Sequence, residues 1–468
     1  MGRPLLSLVF LAAFLAGTSP GRGQSHDGDA RRMAERRAVE AVIWGMPAVN
    51  ADLMLQAMLT KTAAKQNDIV FWSRPADWKN QTLTPNPDSI YFMSFWNVKD
   101  GPIVIEVPPA IGGSIAGNIV NAWQMPLEDA GPEGADVGKG GKYLILPPDY
   151  QGPVPDGYFA LPSDTFTGFA LLRSNLKSHA EADIAKSVAY GKQIQVYPLA
   201  KAGNPPPTHF ADASGTLFDA TIRYDASFFR NLDRVVQTEP WLARDRAMID
   251  QLRTLGIEKG KAYAPDAATE AALNAGAREA QAWLSAQYDA GFPVMNEGIS
   301  WFPAARADVV KAVQNGYADP DLYPVDARGV TYTLGFTGIK RIGTAQFYLM
   351  ANKDKDGNAF DGAATYRLTV PPHAPVKQYW SVTVYDRATH ALVRDLDRAS
   401  VASIGKGVAT NADGSVDIYF GPKAPEGKEA NWVPTDPKGA FELLFRLYGP
   451  EKPLFDKSWK LPDVVKLK

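Results

Sequence analysis

Chemically useful side chains cluster at few places in this chain. The string Thr84-Pro-Asn-Pro-Asp-Ser-Ile-Tyr91 sets Asn86 and Asp88 in a proline-framed turn that leads into a strand. Asx side chains in such turns bond to nearby backbone N–H groups, so a turn stabiliser is one reading. The other is that Asp88 projects into a cleft as an acid/base group, with Tyr91 supplying a hydroxyl and Asn86 a ligand contact. Arg173 would then offer a cation to an anionic group, and Arg446 a second one. Asp386, in Tyr385-Asp-Arg387, is the other acid/base candidate, with His390 close behind it. Trp380 and Trp432, together with Trp459, could form an aromatic platform for a sugar face, or they could be core packing.

Asn352-Lys-Asp-Lys-Asp-Gly357 alternates acids as a calcium loop does, with Asp354, Asp356 and Asp361 as oxygen donors beside Asn352. The glutamate that closes a full EF-hand is missing, and a plain hairpin turn is the competing reading. Gly112-Gly-Ser-Ile-Ala-Gly117 approaches a nucleophile elbow, but Ala116 stands where a glycine belongs and the surroundings read as strands. No other metal or phosphate motif is present.

Composition removes further classes. The 468 residues include no Cys, so disulfides, thiolate metal sites and cysteine nucleophiles are excluded. The five His, at 26, 179, 209, 373 and 390, never approach HxH or HExxH spacing. A formal net charge of −2 provides no basic footprint for nucleic acid.

The elements that must position these residues follow from periodicity. Residues 1–23 have an early Arg3, an apolar run from Leu5 to Ala16 and then turn formers, the layout of a secretory signal peptide. No later run of about 18 apolar residues is apparent, so no membrane span is expected and the product is read as periplasmic or secreted. A helix is predicted from about Ala30 to Leu59, broken or restarted at Pro47. Strands follow at Ser89–Asn97, Ile103–Val107, Ser114–Val120, Lys142–Leu146 and Phe166–Arg173, separated by Pro/Gly/Asp turns. A helical stretch begins at Asp225. Strands return at Gln346–Ala351, Thr365–Val370, Tyr379–Tyr385, Val416–Phe420 and Phe441–Tyr448. The 40 Gly and 36 Pro suit such turn-rich β structure. The expected division is a helix plus β-sandwich over 24–220, a helical segment over 221–310 and a second β-sandwich over 311–468, mainly β overall.

Several of these strings together resemble bacterial proteins that pair domain of unknown function twelve fifty-four with domain of unknown function twelve fourteen. The N-terminal likeness rests on Trp44-Gly-Met-Pro47, Asn86-Pro-Asp-Ser-Ile-Tyr91, Lys142-Tyr-Leu-Ile-Leu-Pro-Pro148 and Arg173. The C-terminal likeness rests on Tyr379-Trp-Ser-Val-Thr-Val-Tyr-Asp386, Asp413-Gly-Ser415, Asn431-Trp-Val-Pro434 and Arg446-Leu-Tyr-Gly-Pro450. Ser89, Ile90, Tyr379 and Val433 depart mildly from the family's usual residues. The resemblance implies an immunoglobulin-like sandwich, a helical insert and a jelly-roll-like sandwich, and it brings no established catalytic residue.

Three functions are weighed at this level, and the first is favoured. One is an envelope enzyme acting on a polar or anionic small molecule or glycan in a cleft between the β domains. The second is a non-catalytic periplasmic protein binding such a ligand or glycan. The third is a structural or assembly protein.

Overall fold

The computed structural model describes residues 21–290, 292–336, 338–341 and 345–467, with side chains from residue 28. All but the last three residues of the expected signal peptide lie outside the described residues. In the N-terminal helix α1 (Gly21–Lys61) apolar and small side chains recur all round from about Ala38 to Met58, and the fold buries that stretch, while residues 29–33 are exposed. By length and composition Gly28–Lys61 could cross a membrane, contrary to the sequence expectation, but 78% of its apolar window is buried inside the fold. That is the packing of a core helix. Pro47 does not break it: the helix runs through, and the Pro47 carbonyl accepts the Gln124 side-chain amide at 2.7 Å.

Next come β1 (Ile69–Phe71), β2 (Asn80–Gln81), β3 (Ser89–Asn97), β4 (Ile103–Val107), β5 (Ile115–Asn121), β6 (Pro126–Ala130), β7 (Gly141–Leu146), β8 (Tyr158–Pro162) and β9 (Thr167–Asn175). The helix α2 (Glu181–Gly191), absent from the sequence expectation, precedes β10 (Gln195–Pro198), β11 (Phe210–Asp212) and β12 (Phe218–Asp219). Four helices follow: α3 (Ala226–Thr238), α4 (Arg246–Arg253), α5 (Ala267–Ala290) and, after the short β13 (Phe302–Pro303), α6 (Ala307–Gln314). Then α7 (Val325–Leu334) carries the helical segment past residue 310. The C-terminal half holds β14 (Gln346–Ala351), β15 (Tyr366–Val370), β16 (Trp380–Asp386), β17 (Ser400–Ala402), β18 (Val416–Gly421), β19 (Trp432–Pro434), β20 (Phe441–Tyr448), α8 (Lys452–Phe455) and β21 (Val465–Lys466).

In the N-terminal half a six-stranded sheet, β11-β1-β3-β9-β5-β6, and a four-stranded sheet, β10-β4-β7-β8, close on one apolar core that includes Phe92, Trp96, Ile105 and Tyr143. In the C-terminal half a five-stranded sheet, β13-β14-β20-β16-β17, and a four-stranded sheet, β19-β18-β15-β21, enclose a second core around Val382, Phe445, Leu368 and Phe420. The whole is a mixed architecture, 28% helical and 25% strand, with several sheets and, among the described residues, no closed barrel. The two modules are mainly β, as expected, and the helices form a layer of their own that makes the whole chain mixed. The middle of α1, from Ala38 to Val49, belongs to that layer, packing with α3, α5 and α7, and the stretch from Ala51 to Met58 lies on the outer face of β3 and β9.

Two glycines permit that layer. A Cβ added at Gly276 on α5 would sit 2.5 Å from Ala38 Cβ and 2.7 Å from the Glu35 carbonyl oxygen, both on α1. Gly329 on α7 likewise abuts Ile43. Mid-helix Gly→Ala ordinarily gains about 1 kcal/mol from propensity. At Gly276 overpacking, typically about 1–3 kcal/mol, is expected to win, so Gly276→Ala lowers stability in urea denaturation. A gain would mean α1 and α5 can part without cost.

Candidate functional site

Strand alternation decides which side chains meet between the two halves. All of β20 is buried, with Leu443, Phe445 and Leu447 in the second core and Glu442, Leu444, Arg446 and Tyr448 on the opposite face. On β3, Ile90, Phe92 and Trp96 enter the first core, leaving Tyr91 on the opposite face; on β9, Leu172 points in and Arg173 out. Register then makes two pairs. Tyr91 lies directly opposite Arg173, and Tyr348 directly opposite Arg446. Each half thus presents one cross-strand tyrosine–arginine pair.

Both pairs line one cavity of about 230 Å³ between the halves. Arg446 is 1% exposed. Its Nη1 donates to Thr383 Oγ1 at 2.8 Å, and Nη2 donates to the Thr84 carbonyl at 2.8 Å and to the Tyr385 hydroxyl at 2.5 Å. Its guanidinium also lies 5.4 Å from the Tyr348 ring centre, and that of Arg173 lies 5.6 Å from Tyr91. Both Nε atoms are buried without an acceptor. Among the described residues no Asp, Glu or His lines the cavity, and neither arginine forms an ion pair. Burial works against both charges, but the tyrosine oxygens around them outweigh it and hold both guanidiniums above the ordinary arginine range. Burial in turn pushes the hydroxyls of Tyr348, Tyr385 and Tyr448 up, so they stay neutral and offer dipoles and ring faces, not charge. Two buried cations without a carboxylate are costly. The arrangement gathers two guanidiniums and several tyrosine hydroxyls about one cavity with no acidic side chain among its described lining residues.

The other sequence candidates are placed elsewhere. Asn86 donates its N–H to the Tyr91 hydroxyl at 2.8 Å and its side-chain amide to the Tyr448 hydroxyl at 2.7 Å, so it holds the wall from behind. Asp88 is 1% exposed and does not line the cavity. It lies 3.1 Å from His179 Nε2 and accepts the Ser400 hydroxyl at 3.2 Å. Asp386 accepts from Ala388 N, Thr389 N and Thr389 Oγ1, which makes it the stabiliser of its own turn and not an acid/base group in the cavity. Trp380 is packed in the second core, stacked on Phe445 at 5.5 Å, with Trp459 on the same ring. Trp432 is half-buried on β19 and donates its indole N–H to the Gly421 carbonyl. The sugar platform is therefore not assembled. In the suggested calcium loop, Asp354 Oδ1 accepts Asp356 N and Asn358 N, and Asn352 turns away to Asp289. Among the described residues no group of three acidic or histidine side chains is placed to hold a metal, so the hairpin reading fits this loop.

Tyr348, Thr383, Tyr385 and Tyr448 were not singled out from the sequence. Nor was Glu442, which is fully buried and meets His390 Nδ1 at 2.6 Å and the Tyr288 hydroxyl at 2.7 Å. The usable signal was a charged or hydroxylated residue at alternate positions of strands otherwise apolar.

His179 yields a pH prediction. The Asp88 carboxylate beside it holds its imidazole above the ordinary 6.5, against the pull of burial. Because the folded value exceeds the unfolded one, the stabilisation is complete below about pH 6.5 and is lost as pH rises through the folded value. The thermal midpoint gap between wild type and His179→Gln should be largest near about pH 5.5 and closed by about pH 9. A gap that widens with pH contradicts the pairing.

The fold and cavity define a two-module protein whose halves each contribute residues to the cavity wall, and comparison with known proteins gives those halves their family. Residues 66–198 match the family described as Protein of unknown function (DUF1254), and residues 345–452 match Protein of unknown function (DUF1214). The chain carries both domains in that order. Tyr91 and Arg173 belong to the first, Tyr348 and Arg446 to the second. A similar fold occurs in the crystal structure of the VPA0106 protein from Vibrio parahaemolyticus, with a TM-score of 0.57 and 18% identity over 93% of this chain and 100% of that one. A putative uncharacterized protein from Burkholderia cenocepacia aligns over 96% of each chain at a TM-score of 0.39 and 12% identity. No curated protein matches the sequence.

Proposed function

We propose that this is an exported protein, periplasmic or secreted, that binds a small anionic molecule in the cavity between its two modules. The observation that carries the reading is the pair of buried guanidiniums, Arg173 and Arg446, on opposite walls of a cavity with no acid among the described residues that line it. Inter-module clefts are favoured ligand positions. Asp88 and Asp386 lie outside the lining, so binding is better supported than turnover by the acid/base pair expected from sequence. The leader-like residues 1–23 support export, and the paired sheets are compatible with immunoglobulin-like and jelly-roll-like sandwiches.

The test is thermal unfolding of the mature protein with carboxylate, sulfate and phosphate salts at matched ionic strength. A ligand present at about 100 times its Kd adds about 2.7 kcal/mol of stability, a readily measured shift. Arg173→Gln should abolish that shift. No shift in the wild type, or an equal shift in the variant, would overturn the reading.

A further inference from the structure

We infer that the anion is a monocarboxylate carrying a short apolar tail, an inference that rests on the anion-binding reading above and narrows it. The first argument is the supply of donors. Arg446 commits both terminal nitrogens to Thr383, Thr84 and Tyr385, and its Nε is fully buried, so it contributes charge to the cavity but few free donors. Arg173 lines the cavity from the opposite sheet and forms no ion pair among the described residues, so its guanidinium is the one with donors to give. One planar guanidinium fork suits the two oxygens of one carboxylate. A phosphate or sulfate brings further oxygens that would be buried unsatisfied.

The second argument is the rest of the wall. Away from the arginines the lining is mostly apolar, with Val310, Val313, Ile339, Phe347, Met350 and Leu444. The polar tips of Tyr91, Tyr332, Tyr348 and Gln346 are its exceptions. Two threonines also line it, and both hydroxyls are spent on main-chain carbonyls: Thr84 on Leu334 and Thr331 on Ala327. A sugar or polyol would find few partners there. An alkyl or aryl group would gain about fourfold in affinity for each CH₂ removed from water. The third argument is size. A cavity of about 230 Å³ is smaller than the ~300–1,000 Å³ that drug-sized ligands fill, so the tail is short.

The experiment is isothermal titration of the mature full-length protein with acetate, butyrate, hexanoate, hexanol, hexylamine and inorganic phosphate. Affinity should rise about fourfold per methylene from acetate to hexanoate, with hexanol and hexylamine failing to bind. Arg173→Gln should weaken hexanoate at least tenfold. Val310→Trp, which fills the apolar end, should bring hexanoate back to the affinity of acetate. If phosphate or acetate binds as tightly as hexanoate and Arg173→Gln still abolishes binding, the tail is wrong and the anion site stands. If hexylamine matches hexanoate, or no anion binds, the site reading falls too. Should Arg173→Gln not fold, the chain-length series on the wild type decides the matter alone.

Discussion

Replacing Arg446 with methionine is expected to destabilise the protein by about 3–5 kcal/mol, the loss typical of breaking a buried charged contact from one side. Two effects oppose each other. Removing the guanidinium relieves the desolvation of a cation that is 1% exposed. It also deletes its bonds to Thr383, Thr84 and Tyr385, each a hydrogen bond to a charged group worth about 1.5–3 kcal/mol net. The Thr84 carbonyl is then left in an apolar setting, which adds its own penalty of about 1–3 kcal/mol. The losses exceed the relief. Arg446→Lys should recover only a minor part, because an ammonium is a point donor and cannot span Thr383 and Thr84 as the planar fork does. Denaturant midpoints for the two variants provide the check. A loss under about 1 kcal/mol for Arg446→Met would show that other contacts hold the turn.

What Arg446 grips explains the proline-framed turn. Thr84 donates its N–H to the His390 carbonyl at 2.7 Å. The Pro85 carbonyl accepts the Tyr385 hydroxyl at 2.6 Å, Asn86 reaches Tyr448, and Asp88 receives Ser400. Every one of these partners lies in the C-terminal half. The segment is a bolt from the first module into the second, and its rigid Pro/Asx chemistry presents several polar groups outward at once. Asp88 is therefore buried by docking, with no cavity role needed to account for it.

This also shows where the sequence could be read and where it could not. β3, β4, β14 and β20 have the bounds their apolar runs and flanking turns announce. Helix α2 lay inside a stretch read as strands, and α6 and α7 sit between Gly/Pro/Asp turns that mask their short apolar faces. The arginines were visible because a charge inside an apolar strand demands a reason. Their convergence was not, because it depends on two registers, Tyr91 with Arg173 and Tyr348 with Arg446, and on docking two sheets far apart in sequence. The pairing of Asp88 with Asp386 as acid and base failed for a local cause. The tendency of Asp to bond its own turn backbone decided the place of Asp386.

The same outward face of β20 carries the other large expected effect. Glu442 is fully buried, accepts the Tyr288 hydroxyl and meets His390 Nδ1, with Arg387 Nε 4.0 Å away. Glu442→Ala strands the hydroxyl and the imidazole together and should cost about 3–5 kcal/mol. Glu442→Gln should cost only about 1 kcal/mol, since its carbonyl can still accept from Tyr288 and the imidazole can take the tautomer whose Nδ1 accepts from the amide. Glu442 and Arg446 are four residues apart on one strand, about 13 Å, beyond the ~7–10 Å within which mutational effects couple directly. Yet both act on Thr84: Arg446 bonds its carbonyl, and Glu442 fixes His390, whose carbonyl takes the Thr84 N–H. Once either anchor is lost the turn is partly released and the second has less to hold. The double variant Glu442→Ala/Arg446→Met should therefore lose at least about 0.5 kcal/mol less than the sum of the single losses. Additivity within that margin would mean that the two anchors act on the fold independently, and that the Thr84–Asp88 bolt does not transmit strain from one to the other.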